Sequence, residues 1–172
     1  METTQSPPSL SRQPARASQV GADSGQYLTL RLGDEEYAID ILRVQEIRSY
    51  EEPTKMVNSP SFIKGVVNLR GVIVPIVDLR LKLNIAKVAY DEFTVVIILN
   101  IRGIVIGAVV DAVSDVVTLS AQNIKPAPQF ESGIEARFIV GLANLDDRML
   151  IVMNMEALMN NAELGMVAAS LG

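Results

Sequence analysis

The sequence predicts an all-β protein, and three observations support that prediction. First, 49% of the 172 residues are hydrophobic but only 5% are aromatic, so the core is aliphatic. Second, Val and Ile are frequent, and β-branched side chains favour strands. Third, the apolar residues fall in short runs bounded by Gly, Asp, Asn and Pro, which are typical of turns. Many short strands of this kind predict two small barrels or a sandwich.

The folded part begins with a predicted hairpin after a polar tail. Residues 26–33 alternate apolar and polar side chains, residues 34–36 form an acidic turn, and residues 37–41 form the second strand. The segment 42–53 is predicted to bend through a short turn before its terminal proline, because proline restricts the residue that precedes it.

The second predicted hairpin, residues 62–80, has two apolar runs that flank Arg70 and Gly71. Pro75 places the second run at a sheet edge or leaves its nitrogen on an unpaired side. The remaining predicted elements are a helical turn within 78–85, a hairpin at 92–111 turning at 100–103, a polar loop at 120–137, a hairpin at 138–155 turning at Asp146 and Asp147, and a helix at 154–164 with Asn154 as its N-cap.

Three segments are predicted along the chain. Residues 1–24 are rich in Ser, Pro, Gln and Ala, cannot bury a core, and are predicted to be a disordered tail. Residues 25–160 are predicted to form one folded domain that contains two intertwined β subdomains. Residues 161–172 are predicted to be a C-terminal tail or the end of a helix.

The composition argues against several classes of function. The chain has no cysteine and no histidine, which removes thiolate metal sites and most hydrolase triads. A net charge of −5 without a dense Lys/Arg cluster argues against a nucleic-acid partner. Asn100 and Arg102 interrupt the most apolar stretch, and the N-terminus lacks the apolar region of a secretory signal. We expect a cytoplasmic protein that has no membrane insertion and needs no cofactor or metal.

An internal repeat relates two parts of the chain. "FIKGVVNL" at 62–69 and "FIVGLANL" at 138–145 share five of eight residues, and both continue into an apolar strand. Upstream, "VQEI" at 44–47 and "VSDV" at 113–116 share an apolar, polar, acidic, apolar pattern. The first copy turns on Arg70 and Gly71 but the second turns on two aspartates, so the scaffold does not require arginine at this turn.

Arg70 is the leading candidate for binding a partner. A guanidinium on a tight turn between apolar strands can form a bidentate pair with a carboxylate. Arginine is also enriched among the residues that dominate interface energies. The alternative is an exposed hairpin residue, or one that pairs with a nearby acid such as Asp78.

Two further candidates lie elsewhere in the chain. In a strand, Val44 and Glu46 share one face and Ile47 lies on the other, which suits either a partner contact or a half-buried edge strand. Phe130, alone in a polar loop, either packs that loop onto the core or docks into a partner. Adjacent acidic residues occur at turns or strand ends, where we expect them to be solvated rather than catalytic.

Five stretches of the sequence occur in a characteristic order: "LGDEEYAIDILRVQEIR", "FIKGVVNLRGVIVPIVDLR", "VVDAVSDV", "IKPAPQF" and "DRMLIVMN". They resemble the CheW-like domain family of bacterial chemotaxis coupling proteins over residues 25–160, and the Asn-Leu-Arg-Gly turn is highly specific to that family. The resemblance implies two five-stranded SH3-like β-barrels around a shared hydrophobic core, and no enzymatic activity. We expect a stand-alone coupling protein, since no room remains for a kinase or receiver domain.

The resemblance also implies partners. Family members bridge chemoreceptor cytoplasmic tips and the regulatory domain of the histidine kinase CheA. We expect a protein that is monomeric when free and recruited to membrane-associated arrays. Arg70 is implied to contact the receptor, together with Asn68 and Gly71 in the matching turn. The residues implied to bind the kinase are Val44, Glu46, Gly65 and Phe130, the last at a second contact that closes rings of alternating partners.

Three alternatives stay open on the sequence alone. One is a CheW-like scaffold that serves a paralogous signalling pathway with another output. The second is a small enzyme built on the paired acidic residues, which would need a closed pocket with perturbed carboxylates. The third is a structural β domain that associates with itself through an edge strand.

Overall fold

The computed structural model describes residues 24–85, 88–126 and 136–158, which form a mainly β structure. The strands are β1 (Ser24–Leu32), β2 (Glu35–Asp40), β3 (Val44–Ser49), β4 (Ile63–Leu69), β5 (Val72–Asp78), β6 (Val95–Ile101), β7 (Ile104–Val110), β8 (Ala112–Ser120), β9 (Ile124–Lys125), β10 (Ile139–Leu145) and β11 (Arg148–Met153). The helices are α1 (Leu79–Lys82) and α2 (Met155–Leu158), and single 3₁₀ turns occupy Ile41–Arg43 and Ala136–Phe138.

These strands form two sheets. The first sheet has five strands in the order β3-β6-β7-β5-β4, and the second has six in the order β8-β1-β2-β11-β10-β9. The predicted all-β class with two related sheets is therefore confirmed. The second sheet gains the two-residue strand β9 from the segment that was predicted to be a loop. Closure of either sheet into a barrel stays a prediction.

The internal repeat is reproduced in the order of the strands. The two octapeptides supply β4 and β10, and each pairs with the strand that follows it. "VQEI" and "VSDV" lie in β3 and β8, which are edge strands of the two sheets. Strand β2 pairs in parallel with β11, just as β7 pairs in parallel with β5. The N-terminal hairpin therefore completes the second unit, although it precedes the first unit in the sequence.

A glycine in each repeat allows the backbone to approach a neighbouring segment closely. Gly65 and Gly141 lie where the pairing registers of β4 and β10 shift. A Cβ on Gly65, whose φ is +146°, would lie 2.1 Å from the carbonyl oxygen of Thr54. A Cβ on Gly141 would lie 2.3 Å from the carbonyl oxygen of Lys125. The repeat therefore retains glycine at both bulges because no side chain fits there.

The largest hydrophobic cluster lies between the two sheets, in agreement with the shared hydrophobic core that the family resemblance implied. Its members come from β1, β2 and β11 of the second sheet and from β5, β6 and β7 of the first. They include Leu30, Tyr37, Val77, Ile97, Ile106 and Ile151. Two smaller clusters are each built from one sheet alone.

A buried ion cluster also joins the two sheets. Arg80 in α1 is fully buried, with Nη2 2.9 Å from Asp78 Oδ2 and Nη1 2.7 Å from Asp111 Oδ1. The other oxygen of Asp111 accepts a hydrogen bond of 2.7 Å from the backbone N–H of Gly33, in the β1–β2 turn. Burial lowers the pKa of the Arg80 guanidinium, but hydrogen bonds to Asp78 and Asp111 outweigh burial and raise it. Arg80 therefore stays charged inside the protein.

Pro75 lies in a central strand. Strand β5 pairs with β4 on one side and with β7 on the other, so the predicted edge placement is wrong. Val66, opposite Pro75, exchanges backbone hydrogen bonds with Thr54 instead. Pairing with β7 begins only at Ile76. The alternative is therefore correct, since the proline nitrogen lies where the strand makes no ladder bond.

Other elements differ from the prediction at their ends. Strand β1 begins at Ser24, and the first turn lies at Gly33–Asp34 instead of 34–36. Strand β8 was not assigned from the pattern at all. The helical turn after Asp78 is confirmed as α1. Asn154 is confirmed as the N-cap of α2, because its Oδ1 accepts a 3.1 Å hydrogen bond from the N–H of Ala157.

Candidate functional site

The β4–β5 turn presents Arg70 to solvent. Arg70 and Gly71 have φ values of 53° and 88°, which are those of a type I′ hairpin turn. Asn68 Oδ1 accepts a 2.8 Å hydrogen bond from the N–H of Gly71, so Asn68 and Gly71 both stabilise the turn. Arginine at positive φ is less favourable than Asn or Gly, and its side chain is 69% exposed. The turn therefore does not need the guanidinium.

The Arg70 guanidinium pairs with Glu46, which also lies 3.1 Å from Arg48. Glu46 lies on β3 and Arg70 follows β4, so the pair connects the two edge strands of the first sheet. The predicted alternative partner, Asp78, is wrong because that carboxylate is fully buried against Arg80. An exposed pair of this kind contributes little to stability, which leaves Arg70 available to another carboxylate.

We expect the pKa of Glu46 to lie below its ordinary value of 4.5 in the folded protein. Hydrogen bonds from Arg70 and then Arg48 stabilise its charged form. Since the folded-state pKa is lowered, the contribution of the pair to stability is complete above about pH 4.5 and is lost as the pH falls through the lowered pKa. A ¹³C NMR titration would measure this pKa. Arg70→Gln should raise it toward 4.5, and an unchanged value would contradict the pairing.

Val44 and Glu46 lie on opposite faces of β3, so the predicted common face is wrong. Val44 is opposite Leu99, but Glu46 is opposite Ile98, because the register shifts between them. This bulge breaks the alternation on which the prediction depended. Val44 packs against the core between the sheets, whereas Glu46 reaches Arg70.

The other predicted site residues fall in different environments. Gly65 is buried beneath Thr54 and offers no surface for contact. Phe130 lies outside the described residues. The structure therefore brings Arg70, Asn68, Gly71 and Glu46 together, but it separates them from Val44.

A second arginine turn was missed from the sequence. Arg102 and Gly103 have φ values of 54° and 85°, and Asn100 Oδ1 accepts a 2.9 Å hydrogen bond from the N–H of Gly103. The signal was visible, because "NIRG" at 100–103 repeats "NLRG" at 68–71. In the second repeat, two aspartates form the turn that is equivalent to Arg70 and Gly71. The second turn with an arginine is that of the β6–β7 hairpin, which is not part of the octapeptide repeat.

The described ranges contain neither a metal cluster nor a membrane helix. No group of three or more acidic residues within them could hold a metal ion. No helix in the same ranges is long and apolar enough to cross a bilayer. Asp146 and Asp147 are exposed on a turn, in agreement with the predicted solvated pair.

Comparison with known proteins identifies the family. Residues 26–163 match the family model of the CheW-like domain. A chemotaxis protein CheW from Klebsiella aerogenes is 52% identical over 149 residues, which cover 86% of this chain and 90% of the relative. A probable chemotaxis protein CheW from Rhizobium etli is 36% identical over 138 residues, which cover 80% of this chain and 89% of the relative.

A solved structure has the same fold. The scaffolding protein TtCheW from Thermoanaerobacter tengcongensis superposes with a TM-score of 0.75 at 32% identity, covering 81% of this chain and 94% of that chain. The family model covers both sheets, and the similarity to CheW proteins extends over most of each chain. This chain therefore belongs to the CheW-like domain family and is similar over most of its length to the CheW proteins of chemotaxis, which are non-enzymatic coupling adaptors.

Proposed function

We propose that this protein couples chemoreceptor cytoplasmic tips to the histidine kinase CheA, and that Arg70 binds a receptor carboxylate. The observation that carries this proposal is the exposed guanidinium on a turn that does not need it. Among the described residues, the only partner of this guanidinium is the carboxylate of Glu46, and the pair is exposed. A receptor carboxylate can therefore replace Glu46 as the partner of Arg70. In the cell the protein acts in the cytoplasm, within arrays at membrane-bound receptors.

The kinase contact is proposed for the edge formed by β3. Glu46 is half-exposed on this strand and presents a charge to a partner domain. Gly65 acts indirectly, because it lets β4, the opposite edge strand, approach Thr54 and so positions the strand that leads into Arg70, the partner of Glu46. Val44 contributes from the face toward the core. Phe130 is proposed for a second kinase contact. Single contacts of this size are weak, and an array strengthens them through multivalency.

The receptor and kinase surfaces adjoin at one ion pair. Arg70 is assigned to the receptor and Glu46 to the kinase, yet the two side chains pair with each other in the free protein. A receptor carboxylate that takes Arg70 therefore leaves Glu46 paired with Arg48 alone. This proximity gives a direct physical route by which one partner affects the contact of the other.

The test is kinase autophosphorylation with ATP and receptor fragments, with and without this protein. We expect receptor control of the kinase only when the protein is present. Arg70→Glu should abolish this control and weaken receptor binding by a factor of about 30 or more, as expected for a hot-spot arginine. The fold should be retained, since surface substitutions usually change stability by less than about 0.5 kcal/mol.

Arg31→Glu is a matched control, because Arg31 is an exposed arginine on β1 of the other sheet. It should leave receptor control unchanged. Normal receptor binding by a folded Arg70→Glu variant would contradict the assignment of Arg70. A kinase that responds equally without the protein would contradict the coupling function itself and would favour a scaffold for another output.

A further inference from the structure

Each of the two repeat units contains a short helix, and the two helices occupy equivalent places. Helix α1 follows β5 of the first sheet, and α2 follows β11 of the second. The N–H of Asp78, which precedes α1, donates to the carbonyl oxygen of Phe62 over 2.7 Å. The N–H of Asn154, which precedes α2, donates to the carbonyl oxygen of Phe138 over 2.9 Å. The repeat therefore extends from the octapeptides to the helices.

The second residue of each helix pairs with the residue immediately before an edge strand of the other sheet. Arg80 Nη1 of α1 lies 2.7 Å from Asp111 Oδ1, and the edge strand β8 begins at the next residue. Glu156 Oε2 of α2 lies 2.7 Å from Arg43 Nη2, and the edge strand β3 begins at the next residue. The charges are reversed between the two pairs, but the connection is the same. Each helix therefore fastens the beginning of the edge strand in the other sheet.

Both edge strands have a bulge near the point of attachment, with an acidic residue beside it. The pairing register of β3 against β6 shifts just before Glu46, and that of β8 against β1 shifts at Asp115. Glu46 pairs with Arg70, and Asp115 Oδ1 lies 3.0 Å from Arg148 Nη2. Side chains alternate between the two faces of a strand, so the position of the bulge decides the face on which the acid lies. A slip of one residue would turn the acid away from its arginine.

The two attachments differ in burial. The pair of Arg80 and Asp111 is largely buried, whereas the side chains of Arg43 and Glu156 are 31% and 37% exposed. Arg102 is a second, more distant partner of Glu156, with its Nε 3.4 Å from Oε2. An exposed pair is weaker than a buried one and is screened by salt. The attachment of β3 can therefore be loosened without unfolding the protein, but that of β8 cannot.

The charges around Arg43 balance one another. Asp40 lines the same cleft as Arg43 and Arg102, and its Oδ1 accepts a 3.0 Å hydrogen bond from the N–H of Leu42 in the 3₁₀ turn. Two arginines and two acidic residues therefore lie together, counting Glu156. The charge of Arg102, followed by the hydrogen bond from Arg43, lowers the pKa of Glu156, so its carboxylate is ionised at neutral pH. This arrangement is suited to fastening chain segments to one another.

We propose that Glu156 is a positioning residue for the kinase contact, because through Arg43 it fixes the beginning of β3 and thereby the face on which Glu46 lies. This inference rests on the proposed kinase contact of Glu46. Strand β3 pairs with a neighbour on one side only, and the bulge interrupts that pairing. Before the bulge, Val44 packs against the core and Arg43 is held by Glu156. A helix of the second sheet thus controls a partner contact of the first.

The first test uses the full chain without a partner. In Glu156→Gln, the amide protons of β3 should exchange with deuterium about threefold faster, as expected for the loss of an exposed ion pair. The pKa of Glu46, measured by ¹³C NMR titration, should rise toward 4.5. Arg43→Gln should have the same effects, and the double variant should exchange no faster than Arg43→Gln alone, because the two residues act through one contact.

Arg102→Gln is the matched control. It removes another guanidinium group from the same carboxylate, but Arg102 lies in the β6–β7 turn and does not precede β3. Exchange in β3 and the pKa of Glu46 should both stay unchanged. The second test is the affinity for the regulatory domain of CheA, measured by calorimetry. Glu156→Gln should weaken binding about threefold at low salt, and the difference should shrink at high salt, where the exposed pair is screened.

The outcomes separate this inference from the proposed function. Faster exchange, a raised Glu46 pKa and weaker kinase binding in Glu156→Gln, all absent in Arg102→Gln, support it. If kinase binding weakens while the free protein is unchanged, Glu156 touches the kinase itself and the inference is overturned. If only the thermal midpoint falls, Glu156 merely fastens α2, which overturns it as well.

Glu46→Gln distinguishes the two failures. If Glu46→Gln weakens kinase binding but Glu156→Gln does not, the inference is overturned while the kinase contact of β3 stands. If Glu46→Gln leaves the kinase affinity unchanged, the proposed kinase contact fails, and the inference is overturned with it.

Discussion

Replacing Arg80 by methionine should lower the free energy of unfolding by about 3–5 kcal/mol, because it leaves buried carboxylate charge without its partner. The Arg80 and Asp78 side chains are both 0% exposed, and Nε and Nη2 of Arg80 donate to the two oxygens of Asp78. Asp111 loses its pair in the same substitution. Methionine preserves much of the side-chain volume, so the decrease in the free energy of unfolding comes from the unpaired carboxylates rather than from a cavity.

Urea denaturation would measure this effect, with Arg31→Met as the control. Arg31 is exposed, so its replacement should change the unfolding free energy by less than about 0.5 kcal/mol. Arg80→Lys should fall between the two, because an ammonium keeps the charge but cannot reproduce the bidentate pair and reach Asp111 as well. A loss below about 1 kcal/mol for Arg80→Met would show that the cluster does not couple the sheets.

The second large effect is expected at Gly65. Gly65→Ala should lower the free energy of unfolding by about 2–5 kcal/mol, since the methyl group would overlap the carbonyl oxygen of Thr54 and alanine is strained at this φ. The backbone of β4 must move to relieve this contact. Kinase binding should fall with the change in β4, although the new methyl group touches no partner.

Gly71→Ala is a control that separates the cost of backbone strain from the cost of steric overlap. Gly71 has φ of +88°, but a Cβ there would have no atom within 4 Å. Its replacement should therefore cost only the backbone strain, about 1 kcal/mol. Gly141→Ala, the repeat equivalent, should resemble Gly65→Ala, because its Cβ would lie 2.3 Å from Lys125 O. Equal denaturation midpoints for Gly65→Ala and Gly71→Ala would contradict the role of the Thr54 contact.

The fold was predictable wherever the information is local. Alternating apolar residues and turn residues predicted four hairpins, and the octapeptide repeat predicted two related units. The pairing between strands of different hairpins was not predictable. Strand β2 pairs in parallel with β11, more than a hundred residues away, and this pairing depends on core packing rather than on any local pattern.

The candidate site shows the same division. The exposure of Arg70 and the turn chemistry of Asn68 and Gly71 follow from four consecutive residues. The identity of its partner does not, because Glu46 is distant in sequence and reaches Arg70 only through the arrangement of the edge strands. The bulge after Val44 also cannot be predicted from the pattern. Its one inserted residue moves every later side chain of the strand to the opposite face.

The sequence by itself determined the strand-rich class, the two hairpin repeats, the arginine turn and its family resemblance, because each depends on residues that are close together in the chain. Only the tertiary structure decided that the N-terminal hairpin completes the second unit, that Arg80 joins the sheets, and that Arg70 pairs with Glu46. These relations depend on contacts between distant segments. Their energies come from burial, close packing and charge pairing, which short sequence patterns do not record.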